Sequence, residues 1–173
     1  PHMIMSFAAP LGVGLTSDGE YVDIEINTPI STADALRRLN DVMVEGMEIL
    51  DFRQIEEGKA GKAMSLVAAA DYTVTFRKGM APQGDWQSDI SGFFAKKEIL
   101  VTTETKKGTE EVDIRPMIYS MGVNAGTVSM RLATGSAANL KPELVMEAYA
   151  AWKGFELQPF ALEVNRCEVY ADP

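Results

Sequence analysis

Five residues of this chain are of types that could bind or transform a charged ligand: Asp23, Asp113, Arg115, Arg131 and Arg166. Paired carboxylates can exchange protons with a substrate or hold a cation. Three guanidinium groups brought to one sheet face would clamp a phosphate or carboxylate, because each presents a rigid fork of donors. The competing reading is structural: an aspartate on an open strand face is solvated or paired with a neighbouring arginine, and the arginines pair with Glu111, Asp113 and Glu168. Other chemistries lack their residues. A single cysteine, Cys167, and a single histidine, His2, provide no internal disulfide, no zinc or iron–sulfur ligand set and no Cys–His or Ser–His–Asp arrangement. Gly12-Val13-Gly14 and the glycines between 122 and 126 do not have the spacing of a phosphate-cradling loop. No cofactor or metal site is expected, and Cys167, inside an alternating strand, reads as a core thiol.

The elements that must position these residues include a phrase used twice, Glu20-Tyr21-Val22-Asp23-Ile24 and Glu110-Glu111-Val112-Asp113-Ile114. Strand alternation sets Tyr21, Asp23 and Glu25 on one face and Glu111, Asp113 and Arg115 on the corresponding face of the second copy. Val22, Ile24, Val112 and Ile114 then point the other way, toward helices.

In the first half, residues 3–9 and 21–26 form a hairpin, Ser31 or Thr32 caps a helix carrying Leu36, Leu39, Val42 and Met43, and Gly46 stops it. A strand over residues 47–55 closes this half. Residues 56–62 are a Gly- and Lys-rich connector, followed by a short helical turn near residues 65–70. The second half reads as a strand over 72–76, a short helix at Ile90, Phe93 and Phe94, strands over 99–105 and 111–117 joined at Lys106-Lys107-Gly108, a strand over 128–132, a helix opening at Pro142 and ending at Gly154, and a strand over 161–170.

That pattern predicts an α+β fold of two tandem ferredoxin-like (split βαβ) units with antiparallel sheets. The first unit, residues 1–57, lacks its initial strand and helix; a connector spans 58–70; the second unit, 71–173, carries one extra strand. An initial strand of this topology is central to its sheet, so its absence leaves an edge that favours a homodimer or tight packing between halves.

Composition bounds the function. With 46% hydrophobic and 24% charged residues the chain is ordinary for a globular protein, and no segment approaches the roughly 18 apolar residues of a membrane span. A reducing cytoplasm is the expected setting. The formal charge of −9 argues against the broad basic surface of a non-specific nucleic-acid binder, although most of the positive charge falls in the second half.

The stretch Ile4-Met5-Ser6-Phe7-Ala8-Ala9-Pro10-Leu11-Gly12-Val13-Gly14 after Pro1-His2, the following Ser17-Asp18-Gly19-Glu20-Tyr21-Val22-Asp23-Ile24, and the later Ala69-Ala70-Asp71-Tyr72, Val112-Asp113-Ile114-Arg115-Pro116, Lys141-Pro142-Glu143 and Asn165-Arg166-Cys167-Glu168-Val169-Tyr170 resemble a family of bacterial radical SAM-linked proteins, a domain of unknown function. The resemblance covers essentially the whole chain. It implies a partner, since members are encoded beside or fused behind a radical SAM protein; without a three-cysteine cluster site this chain is not that catalyst. Members begin with a strand and a helix before the Pro-His pair and usually carry Arg where Lys141 stands. Pro1-His2-Met3 is read either as native or as a cloning remnant.

Three functions follow as expectations. The leading one is an accessory protein that presents a substrate, RNA or another anionic group, to a radical SAM enzyme. The second is an enzyme using Asp23 and Asp113 with the arginines, and the third is a protein scaffold.

Overall fold

A computed structural model describes residues 4–55, 63–105 and 108–172. Pro1-His2-Met3, the Gly- and Lys-rich connector over residues 56–62, Lys106-Lys107 and Pro173 lie outside the described residues.

The local elements follow from their residues. Ser31 caps helix α1 (Thr32–Asn40) by accepting the Asp34 N–H at 3.2 Å. Helix α4 (Pro142–Lys153) has Pro142 in its first turn, where a missing N–H costs nothing, and stops at Gly154, whose φ of 86° permits the left-handed cap. Helices α2 (Ala63–Leu66) and α3 (Ile90–Phe94) are single turns. The strands are β1 (Met5–Phe7), β2 (Thr16–Ser17), β3 (Val22–Ile24), β4 (Ala69–Phe76), β5 (Leu100–Thr105), β6 (Gly108–Asp113), β7 (Ile118–Asn124), β8 (Thr127–Ala133) and β9 (Leu162–Tyr170).

Five of these strands make the main sheet, in the order β2-β9-β4-β8-β7. Its neighbours are antiparallel except β2, which runs parallel to β9. Two further two-stranded ribbons, β1-β3 and β5-β6, stand outside it. Alternation decides which side of the main sheet is covered. Ala70, Tyr72 and Val74 of β4, Val128, Met130 and Leu132 of β8, and Val164 of β9 are buried with Ile90 and Phe93 of α3 and Val145, Met146 and Tyr149 of α4. Each fully buried large apolar side chain stabilises by roughly 1.5–3 kcal/mol, so this single layer of helices on one face holds the second half together. Polar ties fix the helices: Tyr149 donates to the Trp86 carbonyl, and Lys153 pairs with Asp89.

The α+β class expected from the sequence is what the described residues form, but they do not confirm the tandem arrangement expected from the repeat. The hairpin partners of the first half do pair, as β1 with β3, and its helix is present. Residues 47–55, expected as a strand, have no regular structure. Asn40 instead holds the Ile49 backbone, accepting its N–H at 2.8 Å and donating to its carbonyl at 2.9 Å. The apolar residues Ile49, Phe52 and Ile55 recur every third position, which does not give a strand one buried face. The first half also gives β2 to the edge of the second half's sheet, so the two halves are knit by backbone pairing.

In the second half, the strand expected over 111–117 stops at Asp113. Its side chain takes the N–H groups of Ile99 and Arg115, each at 2.9 Å, and a 3-10 turn follows over Arg115–Met117 with Pro116 inside it. Strand β7 then runs where no strand was expected and turns into β8 at Ala125-Gly126, with φ of 48° and 84°. Two positive φ values make the two-residue turn that matches strand twist, and Gly126 reaches its value without the Cβ clash.

The repeated phrases therefore lie on two separate ribbons that face differently. On the second, Val112 packs against the core and Ile114 is buried, as expected. On the first, Val22 is exposed while Asp23 turns toward the Ala63 N–H at 3.4 Å, the reverse of the expectation.

Candidate functional site

The uncovered face of the main sheet is polar, and its centre is a hollow of about 270 Å³ lined by Asp71, Thr73, Ser120, Ser129, Arg131 and Cys167, among others. Register brings them together. Asp71 and Thr73 of β4 stand opposite Arg131 and Ser129 of β8, and Ser120 and Gly122 of β7 stand opposite the same two β8 residues. Side chains two apart on a strand share a face, so Thr75 and Thr127 extend the polar row. They line a second hollow of about 320 Å³ with Phe76, Trp86, Gln87 and Gly126.

One charged pair anchors the face. Arg131 donates to both Asp71 oxygens, at 2.7 and 2.9 Å, and the Tyr170 hydroxyl donates to Asp71 Oδ2 at 2.9 Å. The guanidinium carbon lies 4.3 Å from the centre of the Tyr170 ring. The two side chains of the ion pair remain about one-third exposed, 34% for Arg131 and 32% for Asp71, so solvent reaches the pair. The hydrogen bond from Arg131, more than the Coulomb attraction, holds the Asp71 carboxyl below the usual carboxylate range. Bonding to that carboxylate raises the Tyr170 hydroxyl in turn.

Strand β9 shifts register against β4 between Asp71 and Tyr72: Asp71 pairs with Glu168 and Tyr72 with Arg166. Cys167 is the extra residue of this bulge. It is half-buried on the polar face, with Sγ 3.8 Å from Thr73 Oγ1 and 3.7 Å from Asn165 Nδ2. The core role expected for it is corrected accordingly. Asn165 continues the polar row outward, bonding Thr16 and Asp18 at 2.7 Å each.

Among the five residues singled out from the sequence, only Arg131 reaches this face. Arg166 lies on the opposite, helix-facing side, across from Tyr72. Its side chain, 5% exposed, bonds Glu20 at 2.6 to 3.0 Å and the Ala9 carbonyl. Arg115 donates to the Lys96 and Ile118 carbonyls at 3.1 and 2.9 Å and stacks on Phe94 at 4.2 Å, pinning α3 to the base of the β5-β6 ribbon. Among the described residues the three guanidinium groups share no partner and do not converge. Asp113 is engaged by two backbone N–H groups, and Asp23 faces α2.

Asp71, Thr73, Ser120, Ser129 and Tyr170 were not singled out as site residues. A signal was present: Ala69-Ala70-Asp71-Tyr72 and Asn165-Arg166-Cys167-Glu168-Val169-Tyr170 are two of the landmarks that carried the resemblance. Pairing β4 with β9 places them side by side.

Chemically, this face offers hydroxyls, an amide, a thiol and a carboxylate–guanidinium pair already matched to itself. The neighbours of the Cys167 thiol are a hydroxyl and an amide, neither of which is a base at neutral pH. Among the described residues, no three His, Cys, Asp or Glu side chains stand together as metal ligands, and no helix is long and apolar enough to cross a membrane.

Neither the search of curated proteins nor that of solved structures returns a match. A family model described as "uncharacterized protein conserved in bacteria" (DUF2344) matches residues 1–142. That stretch is well over half of the 173 residues, and so the chain belongs to the DUF2344 family of bacterial proteins.

Proposed function

We propose that this protein is a non-catalytic accessory protein that holds a substrate group on the polar face of its five-stranded sheet and works with a radical SAM enzyme. The observation that carries the binding role is the one-sided sheet: helices cover one face, and the other presents Asp71, Thr73, Ser120, Ser129, Arg131 and Cys167 around a hollow. The second half is read as a ferredoxin-like unit. Support comes from the order β9-β4-β8-β7, which is last, first, third and second among the four strands once the β5-β6 ribbon is set aside.

RNA is the substrate class retained. Because Arg131 is paired with Asp71 and the chain carries a formal charge of −9, such a ligand is read through base edges and ribose hydroxyls rather than through phosphates. An enzyme working through Asp and Arg would have to use the Asp71–Arg131 pair, since Asp23 and Asp113 are turned to backbone N–H groups.

Titration of a fluorescent ten-nucleotide single-stranded RNA, with and without the radical SAM protein, tests the reading. Ser129→Trp, which fills the hollow, weakens binding at least tenfold while the thermal transition persists. The logarithm of the binding constant falls with the logarithm of salt by less than about 1.4, the value for two phosphates on a single strand. Binding that survives Ser129→Trp, or a steeper salt dependence, overturns it.

A further inference from the structure

The hollow at the far end of the polar row, about 320 Å³, has a chemistry of its own. Phe76 and Trp86 form one wall, their rings edge to face with centres 4.9 Å apart and planes at 72°. Trp86 is 6% exposed and its carbonyl accepts the Tyr149 hydroxyl, so this wall is fixed from the core side. Thr75, Gln87 and Thr127 supply polar groups, and among the described residues no titratable side chain lines the space. A hollow at the low end of ligand-pocket sizes, with an aromatic wall and a few neutral polar groups, accommodates one uncharged ring and not a phosphate.

Gln87 sets what that ring must present. The Gly126 N–H donates to Gln87 Oε1 at 3.2 Å, which turns the oxygen end of the amide to the β7-β8 turn. The Nε2 end has donors only and meets no acceptor among the described residues. The two-point contact by which a glutamine reads adenine needs both ends of the amide, whereas a carbonyl such as uracil O4 needs the donor alone. We propose that this hollow holds one pyrimidine base of an RNA strand, its ring against Phe76 and Trp86 and a ring carbonyl accepting from Gln87 Nε2, with the Thr75 and Thr127 hydroxyls at its other polar atoms. The inference rests on the reading of the polar face as an RNA surface. Asp71 of the first hollow and Thr75 of the second share β4. Their separation is roughly 13 Å at about 3.3 Å per residue, so a short single strand spans both hollows.

Free uridine and adenosine at millimolar concentration probe the hollow alone, and ten-nucleotide oligouridylate and oligoadenylate probe it within a strand, all on the whole chain. Uridine slows amide hydrogen exchange at residues 86–87 and 125–127, and adenosine does not. Oligouridylate binds about fivefold more tightly than oligoadenylate, the size expected for one neutral hydrogen bond. Gln87→Glu keeps an acceptor for the Gly126 N–H but loses the donor, and the ratio of the two affinities falls to about one; a ratio cancels the general effect of the added charge. Ser129→Trp, in the first hollow, weakens both RNAs alike and leaves their ratio unchanged. The exchange measurement on the unaltered chain keeps the test decisive if a variant fails to fold. Equal affinities for the two RNAs, a preference that survives Gln87→Glu, or equal protection by adenosine overturns the inference. Failure of the polar-face reading shows itself separately, as Ser129→Trp leaving both affinities intact while the protection by uridine persists.

Discussion

The Arg166–Glu20 pair should respond asymmetrically to loss of either partner, and the structure sets the sign. The Arg166 side chain is 5% exposed, while Glu20 keeps 34% of its side-chain surface in water. Glu20→Ala strands a buried guanidinium with the Ala9 carbonyl still accepting one bond. Removing one partner of a buried pair costs about 3–5 kcal/mol, and the retained bond and partial exposure place this case near about 3. Arg166→Met keeps an apolar stem of similar length in the same space and leaves a carboxylate that can rehydrate. Its cost is the lost charge-assisted hydrogen bonding, about 1.5 kcal/mol. For a chain of this size, at roughly 2–4 °C per kcal/mol, the melting temperature drops by about 6–12 °C for Glu20→Ala and about 3–6 °C for Arg166→Met. Urea unfolding at neutral pH, with the two single variants, the double variant and a shared denaturant slope, measures both costs and their coupling. Equal losses, or a larger loss for Arg166→Met, would refute the assignment of Arg166 as the buried partner that fastens residues 9–20 to β9.

Asp71→Asn removes a carboxylate whose folded pKa lies below its unfolded value of about 3.9. A depressed acid stabilises the fold above its unfolded pKa and loses that contribution as pH falls through the folded one. The variant is therefore less stable by about 1–2 kcal/mol near neutrality, the range for part-exposed charged hydrogen bonds, and the gap closes below about pH 4, as thermal unfolding between pH 3 and 7 will show. Asp113→Ala frees the Ile99 and Arg115 N–H groups, costing about 1–2 kcal/mol. Hydrogen exchange should then quicken in β5 and β6 while the amides of β4 and β8 keep their protection. At Gly19 an added Cβ would lie 2.8 Å from the Cys167 carbonyl oxygen and 2.9 Å from the Glu168 Cα, both backbone atoms. Gly19→Ala should thus push the turn off β9, costing about 1–3 kcal/mol in denaturant unfolding, with the earliest exchange at residues 16–18.

Much of the second half is legible in the residues. The alternation of Tyr72, Val74 and Phe76, the Pro142 start and Gly154 stop of α4, and the strand leading to Tyr170 all rest on neighbours within a few positions. Strand β7 was missed because Ile118-Tyr119-Ser120-Met121-Gly122-Val123-Asn124 mixes a glycine and small polar residues into its run, and its register is irregular against β8 between Ile118 and Ser120. The site was legible only in part. Arg131 was singled out for its charge, but its partner Asp71 is sixty residues away in sequence and is joined to it by strand pairing alone.

Local residue order sets the α+β class and the ends of α1 and α4, because periodicity, caps and turn residues act over a handful of bonds. The sides on which side chains lie were decided by tertiary structure. Register against β4 sets Val164 and Arg166 on the helix side and Asn165 and Cys167 on the polar side, and the one-residue bulge that follows brings Glu168 opposite Asp71 and Val169 opposite Ala70; the two copies of the repeated phrase face differently because one ribbon packs on the core and the other does not. A strand's faces alternate every residue, so long-range register, which no local stretch encodes, assigns each side chain to the core, the polar face or the apolar ribbon.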